Sequence, residues 1–346
     1  MESIVLLTHK WSVGPQIPLY LLLGGMAGGL LLTSAVLDVF DAPSRRRAII
    51  ARLACYMAFP CIAVGGLVLA SHLGKPERGI FFPLYFKNPR SWLVIGSWII
   101  GVYSPICLGL TAMWFFEVRR AWRLILDALA IPVSIGLAMY TGALLSGAIF
   151  APTSVPLWDP QHLPTMFLFS GITSGIAATG LGAIMARIVG WPRPIKRVAP
   201  DMFPYLVWFL CIPLVFFLVI ESMELLSFIQ DLQEGTPGQK VVHAYLTSKS
   251  MAPWLWGGVF GVGIGVPMMG ALACLATGRR AVLITFPTFS LVLVGALIFR
   301  FVIVWGGEVK KPLVFPPQKW PVPNVQVAPG TAEALGRALG RVQYNK

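Results

Sequence analysis

Charge is what this sequence has least of. Only 12% of its 346 residues are Asp, Glu, Lys or Arg, where a soluble domain carries about 25%. Hydrophobic residues make up 56%, and the mean hydropathy is +0.75. That balance excludes an ordinary soluble domain. Acidic side chains are rarer than basic ones, 14 against 27, which leaves a net charge of +13. In a soluble protein such an excess would suggest nucleic acid; in a membrane protein it has a topological explanation, and no nucleic-acid partner is expected.

Metal ligands are sparse as well. The five cysteines, Cys55, Cys61, Cys107, Cys211 and Cys274, all fall in apolar stretches, and none belongs to a CxxC pair. Iron–sulfur ligation needs clustered thiolates, and a disulfide framework is equally unsupported, so they read as packing residues. The four histidines, His9, His72, His162 and His243, sit at the edges of apolar stretches or in loops. A transmembrane b-type haem is held by histidines facing each other from within helices. Neither haem nor an iron–sulfur cluster is therefore expected in this chain.

What the chain does have is long apolar runs. About eight stretches reach the ~20 residues needed to cross a bilayer: 15–39, 48–71, 91–116, 124–149, 163–189, 203–230, 251–277 and 281–304. The start, "MESIVLLTHKWSVG", does not look like a cleavable signal, so the first span is its own targeting element. Alternate loops carry "SRRR" with Arg52, "EVRRAWR", "ARIVGWPRPIKR" and "GRR", 13 positive charges against 7 on the other side. The positive-inside rule then places both termini outside the cytoplasm, in a bacterial cytoplasmic membrane. Lys75, Arg78, Lys87 and Arg90 run against the bias on the outer side; docking of their loop onto another protein would account for them.

The first span contains "YLLLGGMAGGLLL" at 20–32. In water four interior glycines would each cost roughly 1 kcal/mol against alanine. In lipid the helix is enforced by its own hydrogen bonds, and the GxxxG pairs Gly24/Gly28 and Gly25/Gly29 let neighbouring helices approach closely. "GGMAGG" at 24–29 matches "SGITSG" at 170–175, and Trp92, Leu93, Gly96 and Pro105 match Trp254, Leu255, Gly258 and Pro267 at identical spacing. Four spans separate the copies, so the repeats run parallel. The predicted fold is all-α: a polytopic membrane protein of two parallel-repeat four-helix bundles, 1–150 and 151–305. A proline-rich extramembrane tail follows at 306–346, extended and then briefly helical from Thr331 as N-cap. It is either a strap on a partner or disordered.

Ionisable groups inside spans are costly and default to functional candidates. Glu221 and Glu224 are i and i+3, on one helix face. Arg300 lies at similar depth and is expected to pair with one of them, either as a buried ion pair locking two helices or as part of a proton path. Asp38, Arg52, Arg123 and Asp127 lie near cytoplasmic helix ends, where snorkelling accounts for them. On the outer side Gln16, Tyr20, His72 and Tyr140 gather among glycines that include Gly24. A few convergent polar groups in an apolar wall make a generic small-molecule site, and a flat apolar head group with two carbonyls would suit it. Tyr140 reads equally well as a core tyrosine bonded to a backbone carbonyl.

"PLYLLLGGMAGG", "SHLGKPERG", "NPRSWLVIGSWI", "YTGALLS" and "LVGALIFRFVIVWGGE", in this order across all eight spans, resemble the polysulfide reductase membrane-subunit family, also called NrfD-like. The resemblance implies a membrane anchor that is not catalytic by itself. Such an anchor binds quinone or quinol, menaquinone or ubiquinone, as substrate. It exchanges electrons with a ferredoxin-like iron–sulfur subunit carried by a large catalytic subunit, often a molybdopterin enzyme. By position, Tyr140 matches the family's quinone-contacting tyrosine. Gln16 and Tyr20 fall where family members place an amide and a histidine, the histidine being tyrosine here. His72 lies in the loop that resembles the docking loop. The second bundle keeps the glycine pattern without these polar groups, so no quinone is placed there. The competing reading is an ion-translocating or small-solute transport protein, which half-helices broken near Pro105 and Pro267 would support.

Overall fold

The structure, a computed structural model, describes residues 14–40, 45–72, 88–148, 151–152, 155–189, 203–278 and 282–308. The tail beyond Glu308, Lys75, Arg78, Lys87 and the side chain of His72 lie outside the described residues.

Eight long apolar helices among the described residues make this a multi-pass membrane protein. They are α1 (Gln16–Phe40), α2 (Arg45–His72), α3 (Trp92–Phe115), α4 (Arg120–Ala143), α5 (Leu163–Val189), α6 (Phe203–Glu234), α8 (Pro253–Thr277) and α9 (Val282–Glu308). Between α6 and α8 lies a short helix, α7 (Pro237–Leu246), which the hydropathy pattern does not reveal. Its signal is local: Thr236 caps it, accepting from the Gln239 amide while Gln239 Oε1 accepts from the Thr236 amide at 2.7 Å, and Pro237 fills the first turn. This is a capping box. The outward-facing surface is apolar, with Phe115, Trp122, Leu129, Phe216, Met223 and Met269 all exposed, as a helix bundle bathed in lipid requires.

Several boundaries differ from the sequence expectation, the fourth span starting at Arg120 instead of 124 and the eighth running to Glu308 instead of 304. The fourth span ends at Ala143 instead of running to 149: Leu144–Ser146 turn, and Gly147, at φ 96°, opens a two-residue antiparallel pair, Gly147–Ala148 with Ala151–Pro152. Only glycine takes that φ at little cost. The sixth span continues to Glu234.

At the proline positions the helices do not break. α3 runs uninterrupted through Pro105. α8 winds as a π-helix over Pro253–Gly265 and as an α-helix from Val266. The change falls beside Pro267, which has no N–H to donate, so the hydrogen-bond register resets there without orphaning a donor. The half-helices expected of the transporter reading are thus absent among the described residues.

α1 and α5, the spans carrying "GGMAGG" and "SGITSG", are the most enclosed. In their most apolar stretch 72% and 83% of residues are buried, against 33–56% in the other spans. α1 packs on α2, α4, α5 and α9, and α5 packs on α1, α2, α4, α6 and α9. The two GxxxG pairs serve different neighbours. Gly25 and Gly29 meet Gly171 and Gly175 of α5, backbone on backbone; a Cβ on Gly171 would come within 2.8 Å of the Gly25 carbonyl oxygen. Gly24 and Gly28 meet α4, at Thr141 and at Ser134 and Ala138. The matched glycines of the third and seventh spans also have matched duties: the Tyr140 ring lies on Gly96, and Ile298 lies on Gly258.

Candidate functional site

Tyr20 of α1 and Tyr140 of α4 meet inside the first half. Both are buried, and their hydroxyls stand 3.4 Å apart. That is long for an O–H···O bond, and among the described residues neither hydroxyl has another hydrogen-bond partner. With Tyr20 as donor, the Tyr140 hydrogen is left to give. Gly96 lets the Tyr140 ring lie directly against the α3 backbone, since any Cβ there would overlap the ring. Gln16 is one turn above Tyr20 on the same face, half-buried, its side chain folded over Gly14. Gly24, one turn below, faces Thr141, the residue next to Tyr140; a Cβ on Gly24 would lie 3.1 Å from the Thr141 methyl. Its place is helix packing beside the site. The tyrosine that does spend its hydroxyl on a backbone carbonyl is Tyr103, bonded to Ala27 at 2.6 Å; it ties α3 to α1, and nothing in the sequence marks it out.

A second polar group centres on Arg300 of α9, which is wholly buried. Its Nη1 donates to Ser170 Oγ and to the Ala296 carbonyl at 3.2 Å, and its guanidinium lies 4.9 Å from the Phe167 ring centre. Among the described residues Nε and Nη2 meet no acceptor. Nη2 reaches α1, within 3.3 Å of where a Cβ on Gly25 would sit; Thr141 Oγ1 is 3.7 Å from the same point. Arg300 therefore ends among α1, α4 and α5, beside Thr141, the residue next to Tyr140. Glu221 of α6, also buried, accepts from Thr173 Oγ1 at 2.8 Å and lines a small recess among α5, α6, α8 and α9.

The expected direct pair between Arg300 and a glutamate is not made: no ion pair links them among the described residues. Ser170 binds the arginine and Thr173 the carboxylate, one turn apart on α5. These hydroxyls occupy the "SGITSG" segment, where their small size makes them look like spacers.

Glu224 is engaged elsewhere. It accepts from Thr165 Oγ1 at 2.6 Å and lies 3.5 Å from His162 Nδ1, while His162 Nε2 is 2.7 Å from Asp231. Phe228 packs on the same imidazole. Glu221, Glu224, Phe228 and Asp231 form one stripe along α6, and His162, just ahead of α5, joins its outer two carboxylates. Neither His162 nor Asp231 stands out in the sequence. The loop that positions His162 is latched to α9 by Trp158, whose Nε1 donates to the Ile303 carbonyl at 3.0 Å and whose indole lies on Gly307.

At the opposite face the acidic and basic residues are turned inward. Asp38, Arg123 and Asp127 are buried, with Trp122, Ile125 and Leu129 on the outside of α4. Snorkelling does not describe them: Arg123 and Arg120 close on Asp38, at 2.9 and 3.3 Å. Of the four loop cations only Arg90 is described; it is exposed, on a turn in which its amide donates to Asn88 Oδ1 at 3.1 Å.

Compared with known families, residues 8–310 match the model described as polysulphide reductase, NrfD. Among curated proteins the chain is similar to Protein NrfD of Escherichia coli, 27% identical over 314 residues, which are 84% of this chain and 93% of that protein. It is also similar to the C component of polysulfide reductase from Wolinella succinogenes, 24% identical over 316 residues, with the same shares of 84% and 93%.

Proposed function

The chain belongs to the polysulphide reductase NrfD family, and from that premise we propose that it is the quinone-binding membrane subunit of a respiratory oxidoreductase. Electrons pass between the quinone and an iron–sulfur subunit, itself bound to a large catalytic subunit. The complex sits in the bacterial cytoplasmic membrane, with the face carrying Gln16, α7 and Arg90 turned outward to receive that partner. The Wolinella succinogenes relative is by name one lettered component of a polysulfide reductase, which supports a role as one part of a larger enzyme.

The observation that carries the reading is the Tyr20–Tyr140 pair: two buried phenols, loosely joined, with a hydrogen unspent. A buried donor without an acceptor is costly, and a ligand carbonyl is the acceptor that would satisfy it. The surroundings fit a quinone head. Tyr140 offers an aromatic edge fixed flat by Gly96, and Gln16 offers an amide at the open end of α1. A bound quinone supplies a couple of two electrons and two protons. Tyr140 would donate the hydrogen bond that orients its carbonyl, Tyr20 would hold the Tyr140 hydroxyl in place by donating to it, and Gln16 would hold the head group at the mouth. Arg300 stabilises negative charge that develops near Thr141. With Ser170, Thr173 and Glu221 it connects this region to the α6 stripe and provides a proton path on the second half.

The test is Tyr140→Phe in the intact complex purified from its native membrane. Quinol-linked turnover should fall at least about tenfold, the equivalent of ~1.4 kcal/mol, which is the scale of one hydrogen bond. Reduction of the catalytic partner by an artificial donor should not change. Undiminished quinol-linked turnover would leave the chain as a structural anchor only.

A further inference from the structure

Around the two tyrosines, three seams among the first four helices are closed. α1 meets α2 where Gly65 lies on Leu23, α1 meets α4 where Gly24 lies on Thr141, and α3 meets α4 where Gly96 lies under the Tyr140 ring. The seam between α2 and α3 changes along its length. Toward the Asp38 face it is closed: Cys55 Sγ is 3.5 Å from Thr111 Oγ1, and Arg52 donates to the Trp114 carbonyl. Toward the tyrosines the same two faces stand open.

Helix register shows this. Gly66 comes eleven residues after Cys55 on α2, about three turns, so it lies on the same face ~16 Å further along. On α3 Ser97, Ser104 and Thr111 follow one another at seven-residue intervals on one face, with Gly101 beside them, ten residues from Thr111 and thus ~15 Å away. Gly66 and Gly101 therefore border the seam at one level. Small residues on neighbouring helices ordinarily let the backbones close up, yet a Cβ on either glycine would find no heavy atom within 4 Å. Burial divides in the same way. Ile50, Leu53, Cys55 and Ala58 of α2 are buried, whereas Ala63, Val64, Gly66 and Leu67 are exposed. The change falls at Pro60, and α3 carries Pro105 at a matching height. Proline removes a backbone hydrogen bond and is where helices bend.

The opening suits a hydrocarbon chain. Ala63, Gly66 and Ala70 line it on α2, and Ser97, Gly101 and Ser104 on α3. Both serine hydroxyls are spent within their own helix, donating to the Val94 and Ile100 carbonyls at 2.7 and 2.9 Å. Among the described residues no charged side chain lines this stretch. From Gly101 the α3 backbone leads in ~7 Å to Gly96, on which the Tyr140 ring lies.

We propose that this open part of the α2–α3 seam is a lateral portal to the bilayer, and that it holds the isoprenoid tail of the quinone whose head group Tyr140 binds. The proposal rests on the quinone reading above: a head group beside Tyr140 needs an apolar way out for its tail, and this is the open seam next to that ring.

The test plugs the portal in the intact complex. Gly66→Phe and Gly101→Phe fill it from either wall. Gly136→Phe is the control, adding the same ring to α4 where a Cβ also meets nothing within 4 Å. The KM for a quinol with a long isoprenoid tail should rise severalfold in the first two variants and stay native in the control, while a tailless quinol turns over normally in all three. Equal effects on both quinols, or none on the long-tailed one, overturn the portal. A quinone carrying a photoreactive group on its tail should label the stretches 63–70 and 97–104; labelling confined to other helices overturns it as well. Tyr140→Phe in the same assay separates the two readings. If it slows both quinols while the plugged variants match the native complex, the head-group site stands and the portal falls. If it slows neither, the head-group site falls and the portal with it.

Discussion

Gly29→Ala should be one of the costliest single-methyl additions among the described residues. A Cβ at this position would land on the Gly171 carbonyl oxygen and crowd the start of Ile172, and a Cβ on Gly175 would strike the Gly29 backbone in return. Both sides of the contact are main chain, so no rotamer change can relieve it, and α1 and α5 must part. Moving apart by ~1 Å forfeits a quarter to a half of the dispersion energy along the seam, and this seam joins the two most enclosed helices. Overpacking of this kind costs about 3 kcal/mol at the upper end of its usual range. Alanine returns about 1 kcal/mol through its helix propensity, so the net loss is ~2 kcal/mol. At ~2–4 °C per kcal/mol for chains of this general size, the melting temperature in detergent should fall by about 4–8 °C. Gly66→Ala is the control. It adds the same methyl where nothing lies within 4 Å, so only the propensity gain remains, and melting should stay put or rise slightly. Thermal unfolding of the two purified variants decides the matter. If Gly29→Ala melts at or above the native protein, or if Gly66→Ala falls as far, the close α1–α5 crossing is wrong.

Two further substitutions probe the polar contacts. Asp38→Asn strips the counter-charge from Arg120 and Arg123; breaking a buried pair from one side costs about 3 kcal/mol or more, so the yield of folded protein should drop sharply. A variant as stable as the native chain would mean the arginines reach water. His162→Ala cuts the tie between the start of α5 and the α6 stripe, but Asp231 is 57% exposed, and an exposed pair is worth no more than ~1 kcal/mol. Melting should fall by no more than about 4 °C, and a loss above 10 °C would show that the imidazole carries more than this contact.

The eight spans and the glycine-mediated approach are legible in the sequence because length, hydropathy and small-residue spacing are properties of a single helix. What is not legible depends on which way a helix faces. Asp127 stands near a helix end and so reads as interfacial. Its neighbours Trp122, Ile125 and Leu129 point to lipid, and that apolar outer face is what turns Asp127 inward. The seven-residue spacing of Arg120, Asp127, Ser134 and Thr141 is the available signal, since a polar stripe on an otherwise apolar helix marks its buried face. Ser170 and Thr173 are hidden by their size: matched against glycine they read as spacers, and their hydroxyls matter only once Arg300 and Glu221 arrive from other helices. The end of α4 escapes hydropathy because the apolar run continues past Gly147, although the helix has already given way to a turn at Leu144–Ser146.

The doubled glycines of the first span explain why the polar residues of two separate halves can meet at all. Adjacent positions on a helix are about 100° apart, so Gly24/Gly28 and Gly25/Gly29 open two neighbouring faces instead of one. The first admits α4 and brings Thr141 against α1, with Tyr140 beside it; the second admits α5 and leaves room for the Arg300 guanidinium at Gly25. Had α1 a single GxxxG pair, one of these partners would be held a side chain's width away, and Arg300 and Thr141 could not both border the same glycine. α1 is thus the shared wall between α4 and α5, and its two small-residue faces are what bring Thr141 and Arg300 to the same glycine.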